Sequence, residues 1–173
     1  MSSVKPFIPL SIAVLVISDT RTEIDDVSGK TLVECLNAAG HQLYAKTIVP
    51  DNIYKIRSVI SNWIVDENVD VIISTGGTGV TGRDGTPEAV TPLLDKVLEG
   101  FGEIFRMLSY QDIKTSTIQS RAVAGVANGT YIFCLPGSSS ACKTAWESLI
   151  EAQLDSRTCP CNLVQLMPRL KES

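Results

Sequence analysis

The chain has 173 residues, 44% of them apolar and 20% charged, with a formal net charge of −4. Such values predict one globular domain over residues 1–173, with an N-terminal arm over about residues 1–9 and a tail over about residues 155–173. The acidic balance, with no dense basic cluster, argues against nucleic acid; no run approaches the ~20 apolar residues of a membrane span and none resembles a signal peptide, so a cytoplasmic protein is expected.

Residues 11–18, Ser-Ile-Ala-Val-Leu-Val-Ile-Ser, form a continuously apolar, β-branched run, as expected of a strand buried on both faces of a parallel sheet. Ser28 is the expected cap of a following helix whose apolar positions Leu32, Leu36 and Ala39 keep helical spacing until Gly40. A second strand is predicted over residues 42–49, ended by Pro50-Asp51-Asn52. Ile53, Ile56, Ile60, Trp63 and Ile64 then mark one face of a helix capped by Asp51 or Asn52. A third strand over residues 69–74 leads into a glycine-rich loop, followed by a helical stretch over about 86–113 and a further strand over 129–135.

This βαβ alternation predicts a three-layer, doubly wound, mostly parallel α/β sheet with right-handed crossovers and a ligand site at the carboxyl ends of the strands. Four loops meet there in such a fold: residues 18–21, 50–52, 75–84 and 136–140. Phe101, Phe105 and Met107 are expected in the core, with an exposed contact surface as the alternative.

The third loop carries the most chemistry. Residues 74–89 read Ser-Thr-Gly-Gly-Thr-Gly-Val-Thr-Gly-Arg-Asp-Gly-Thr-Pro-Glu-Ala, with five glycines and four threonines. Glycines allow positive φ and close backbone approach, so N–H groups can point at an anion. Arg83 supplies a guanidinium suited to phosphate, and Asp84 a carboxylate that can hold Mg²⁺ or orient a nucleophile. A simple hairpin does not fit, because Thr86-Pro87-Glu88-Ala89 begins a helix. The fourth loop, Pro136-Gly137-Ser138-Ser139-Ser140, precedes a helix bearing Ala145, Trp146, Leu149 and Ile150. Phosphate binding and plain serine capping both remain open for it.

Other chemistries fit less well. Gly77, Gly79 and Gly82 match G-x-G-x-x-G, but residues 82–87 prolong the loop where a dinucleotide fold begins its helix, and no Gly-Lys-Ser or Gly-Lys-Thr marks a P-loop. The five cysteines are read as reduced thiols, and Cys159-Pro160-Cys161 lacks the four-ligand spacing of a zinc site. The remaining combination, Asp51 and Asp84 beside two glycine loops, suits metal-assisted phosphoryl or nucleotidyl transfer. Taken singly, Asp51 also reads as a helix cap and Asp84 as a turn former.

Thr75-Gly76-Gly77-Thr78-Gly79, Arg83-Asp84 and Thr86-Pro87-Glu88-Ala89 together resemble the signature of the molybdopterin-binding family of molybdenum cofactor biosynthesis, and Leu135-Pro136-Gly137 is similar to its second motif. The resemblance extends over nearly the whole chain and implies a molybdopterin-binding-like fold. The family includes molybdopterin adenylyltransferases and a second branch. Asp25-Asp26-Val27-Ser28-Gly29, the segment 100–109, Ser120-Arg121-Ala122-Val123-Ala124-Gly125 and Leu154-Asp155-Ser156-Arg157 look like the second branch.

The resemblance implies a pterin with a dithiolene and a terminal phosphate, bound by Ser18, by Thr75, Gly76, Gly77, Thr78, Gly79 and Arg83, and by Pro136, Gly137, Ser138 and Ser140. It also implies Asp51 and Asp84 as catalytic and metal-holding residues, with Mg²⁺ and ATP as co-substrate: the pterin phosphate attacks the α-phosphate and releases pyrophosphate. Gly85, in place of the branched residue usual in adenylyltransferases, and Ser138-Ser139-Ser140 are departures that bear on turnover more than on binding. A non-catalytic molybdopterin carrier or scaffold is the alternative. Homotrimers or homohexamers, and other proteins of the pathway as partners, are implied as well.

Overall fold

The structure, a computed structural model, describes residues 5–172. Its strands are β1 (Ser11–Ile17), β2 (Gln42–Val49), β3 (Val71–Thr75), β4 (Lys96–Val97), β5 (Val123–Ala127) and β6 (Thr130–Leu135), in sheet order β2-β1-β3-β6-β5-β4. β2, β1, β3 and β6 run parallel; β5 pairs antiparallel with β6, and β4 with β5. The mostly parallel doubly wound sheet expected from the sequence is therefore present.

The helices are α1 (Val27–Ala38), α2 (Ile53–Ile64), α3 (Thr86–Val90), α4 (Glu99–Ile113), α5 (Ser139–Ala145) and α6 (Glu151–Leu154), the last two joined by a wider π turn, Trp146–Ile150. Strand β1 shows how the layers divide. Ile12, Val14 and Val16 pack with Leu32 and Leu36 of α1, Phe105 of α4 and Ala145 of α5, whereas Ala13, Leu15 and Ile17 pack with Ile56 and Ile60 of α2 and Ala89 of α3. Period-2 alternation thus feeds two cores, and each large side chain so buried contributes roughly 1.5–3 kcal/mol.

Two local expectations change, and one pair of alternatives is decided. Helix α1 is capped by Asp26, whose carboxylate accepts from Gly29 N–H at 2.8 Å, while Ser28 lies inside the first turn and its hydroxyl donates to Asp26 at 3.4 Å. A charged acceptor two residues earlier displaces the hydroxyl from the capping role. Asn52, rather than Asp51, caps α2, accepting from Tyr54 and Lys55 N–H groups at 3.1 Å each. The helical stretch expected over about 86–113 is broken after Val90: a short 3-10 turn with Pro92 and an extended Leu94 deliver β4 before α4 begins.

Candidate functional site

The site starts where β3 ends. Thr75 is buried and its hydroxyl donates to the Pro136 carbonyl at 2.9 Å, while Gly76 N–H donates to Leu135 O at 2.9 Å, tying the third loop to the fourth. Gly76 and Gly77 then take φ of +108° and +65°, and a Cβ on Gly76 would stand 2.1 Å from the Ile17 carbonyl oxygen. No other residue fits that turn without moving the end of β1. Thr86 fixes the loop's return: its hydroxyl donates to Gly76 O at 2.8 Å and its N–H to Gly77 O at 3.0 Å.

Above this turn lies a cleft of about 630 Å³ at the carboxyl ends of β1, β3 and β6. Ser18, Gly76, Gly77, Thr78, Gly79, Asp84, Pro136, Gly137 and Ser138 line it, so three of the four predicted loops converge. Ser18 works partly on its own loop, its hydroxyl oxygen accepting from Thr20 and Arg21 N–H groups at 3.3 and 3.1 Å. Ser138 caps α5, accepting from Ala141 N–H at 3.2 Å, and Ser140 sits outside the lining with its hydroxyl 3.3 Å from that of Ser138. Capping is thus realised in the fourth loop, on a residue that also faces the cleft.

The two aspartates flank the glycine loop. Asp51 lies against Gly77, where an added Cβ would be 2.6 Å from its Oδ2, and Asp84 lies against Gly79, where one would be 2.6 Å from the Asp84 Oδ2. Asp51 Oδ1 accepts from Gly85 N–H at 3.1 Å. Burial pushes the Asp51 carboxyl above its ordinary range, with Asp84 and Asp19 adding to the rise against the Gly85 bond and Arg83. Asp84 is held below the ordinary range, first by the Thr81 hydroxyl, which donates to Oδ2 at 2.7 Å. One carboxyl is thus raised and its neighbour lowered by local surroundings. Among the described residues no group of three or more His, Cys, Asp or Glu side chains gathers as a metal cage. Two hard oxygen donors beside an anion loop do suit Mg²⁺, which takes one or two carboxylates and leaves its other positions to water and phosphate.

Arg83 is exposed and paired with Asp19 at 2.5 Å rather than lining the cleft. Two other arginines take up positions the motif analysis gave no role. Arg21 lines the cleft, and Arg121 braces the loop, its Nε donating to Gly79 O and a terminal N–H to Asp84 O, each at 2.7 Å, with Glu88 as its ion partner. A third wall was also given no site role by the motifs: Phe105, Ser109 and Ile113 of α4, then Ser116, Gln119 and Ser120. Among the described residues the Ser120 hydroxyl is buried without a hydrogen-bond partner. On its other side, the loop borders a hollow of about 400 Å³ lined by Ile53, Val80, Thr81, Gly82, Gly85, Glu88 and Arg121, and Asp84 lines both spaces.

A sheet of this order, with a glycine-rich loop at its topological switch point and two acids beside it, defines a doubly wound α/β protein with a ligand-sized cleft at its strand ends. The family model described as "Probable molybdopterin binding domain" matches residues 13–156, and the chain belongs to this molybdopterin-binding family of molybdenum cofactor biosynthesis. It is 54% identical to molybdenum cofactor biosynthesis protein B of Escherichia coli strain K12, over 96% of each chain. Among solved structures it resembles one of molybdenum cofactor biosynthesis protein B (42% identity, TM-score 0.84, covering 87% of this chain and 94% of that one). It also resembles the tungsten cofactor synthesizing protein MoaB of Pyrococcus furiosus (36% identity, TM-score 0.74, covering 80% and 89%).

Proposed function

We propose that this protein acts in molybdenum cofactor biosynthesis by binding molybdopterin in the cleft over Gly76–Gly79 and adenylylating its terminal phosphate with Mg-ATP. One observation carries the transfer: Asp84 lines both the cleft and the adjoining hollow, so two ligands in these spaces would meet at one carboxylate. Asp51 and Asp84 would hold Mg²⁺, which when bound neutralises charge on the transferring group. The chain's own residues supply the rest. Loop N–H groups and the hydroxyls of Thr78 and Ser138 orient the pterin phosphate, and the hydrogen bonds from Thr81 keep Asp84 ionised. A phosphate oxygen forms the bond to the α-phosphorus while the bond from that phosphorus to the bridging oxygen breaks, and pyrophosphate leaves. Assembly into a homotrimer or homohexamer, and transfer of the product to other proteins of the pathway, belong to the same proposal.

A molybdopterin carrier is the second reading, favoured by two features: Asp84 Oδ2 already accepts from Thr81 N–H and hydroxyl at 2.8 and 2.7 Å, and Arg83 is paired with Asp19. Incubation with molybdopterin and Mg-ATP, followed by chromatography and mass spectrometry, separates the two. Adenylylated pterin and pyrophosphate are expected from the native protein, with Asp84→Asn keeping the fold and losing most of the transfer. Tight pterin binding without product selects the carrier. An unimpaired Asp84→Asn removes that residue from the mechanism.

A further inference from the structure

The cleft's charge is asymmetric. Helix α5 touches both α1 and α4, and so separates two flanks of the opening. The α4 flank offers only uncharged side chains: Ser109, Ile113, Ser116, Gln119 and Ser120. On the α1 flank stands Arg21, the one cationic side chain among the described residues that line the cleft. The neighbouring arginines are occupied, Arg83 by Asp19 and Arg121 by Gly79, Asp84 and Glu88.

Arg21 is held from behind. Its Nη1 donates to the Ser28 hydroxyl at 2.5 Å, and Ser28 donates to Asp26, which is fully buried and paired with Lys46 at 2.8 Å. Lys46 is held in turn by Glu23 at 2.7 Å. One guanidinium N–H thus fixes the side chain, and the remaining donors are available for a ligand oxygen. Arg21 also stands two residues from Asp19, whose carboxylate accepts from Asp51 N–H at 3.1 Å, so its flank adjoins the Asp51 end of the site.

We propose that Arg21 binds the phosphate of the ligand and thereby orients it in the cleft, phosphate toward α1 and the uncharged ring toward α4. This rests on the reading of the cleft as a molybdopterin site. Asp26, Ser28 and Lys46 are positioning residues for that guanidinium.

Pterin fluorescence titrations of the native protein, Arg21→Gln and Arg21→Lys with molybdopterin and with its dephosphorylated form test the assignment. Arg21→Gln should weaken the phosphorylated ligand ~10- to 100-fold and leave the dephosphorylated ligand within about twofold. Arg21→Lys should fall between, because it keeps the charge and loses the fork. Losses of equal size for the two ligands, or none, in variants that melt like the native protein would overturn the role of Arg21. A native protein that binds neither ligand would instead overturn the molybdopterin reading itself, and the assignment with it.

Discussion

Asp51 carries a cost that its neighbour Asp84 does not. Its folded carboxyl titrates above the usual value of 3.8, burial first among the causes and the Asp84 and Asp19 charges next. A carboxyl raised on folding favours the folded state below its unfolded value and loses that contribution as pH rises through the folded one, so at neutral pH the ionised group is a penalty. Asn at this position can still accept from Gly85 N–H. Asp51→Asn should therefore raise Tm at pH 7 by roughly 1–2 °C, a small gain because water still reaches the group, while transfer is lost. The gain should vanish below about pH 3.8, where both side chains are neutral. Calorimetry across pH checks this, and an Asp51→Asn variant less stable at pH 7 would refute it. At this scale the sequence was most legible where the signal is local. Gly76, Gly77, Asp51 and Asp84 announce themselves by residue type and position after a strand. Arg21 and Arg121 do not, since an isolated arginine in a loop acquires its role only from which strand ends meet around it.

Among the elements, the tightest constraint is where the third loop crosses the end of β1. Gly76 combines φ of +108° with a virtual Cβ 2.1 Å from Ile17 O, so strain and overpacking act together. Gly76→Ala should cost about 3 kcal/mol in urea unfolding and, by displacing Ile17 at the end of β1, lower pterin affinity more than its stability loss accounts for. A Gly76→Ala protein of native stability would show that the turn has room the geometry denies. The same element scale explains what sequence reading captured of the fold. Strands β1, β3 and β6 are buried almost throughout, and their sequences carry short apolar runs over residues 12–17, 71–73 and 131–135. β5, Val-Ala-Gly-Val-Ala, is built of small residues, and β4 has only two, so neither presents a periodic pattern. A signal was available nonetheless: Asn128-Gly129, with φ of +49° and +84°, is the positive-φ pair of a tight hairpin and joins β5 to β6.

At the scale of the whole molecule, α4 lies between the cleft and an exposed apolar surface. Its inner face gives Phe105 to the core and Ser109 and Ile113 to the cleft, while Ile104 and Met107 remain 45% and 61% exposed. Below them runs an apolar groove of about 610 Å³ lined in part by Val97, Phe101, Ile104, Phe133, Leu149 and Leu163. Of the residues expected in the core, Phe105 is thus buried and Met107 exposed, within one helix. Exposed apolar surface beside a groove of this kind supports self-association. Light scattering after size exclusion should return the mass of three or six chains, and Ile104→Glu should lower it while circular dichroism stays native. If association buttresses α4, the same variant should also weaken pterin binding, because the helix that loses its neighbour is the one that walls the cleft. A native protein that elutes with the mass of one chain would remove the assembly from the proposal, and unchanged affinity in a dissociated Ile104→Glu would show that the wall stands on its own packing.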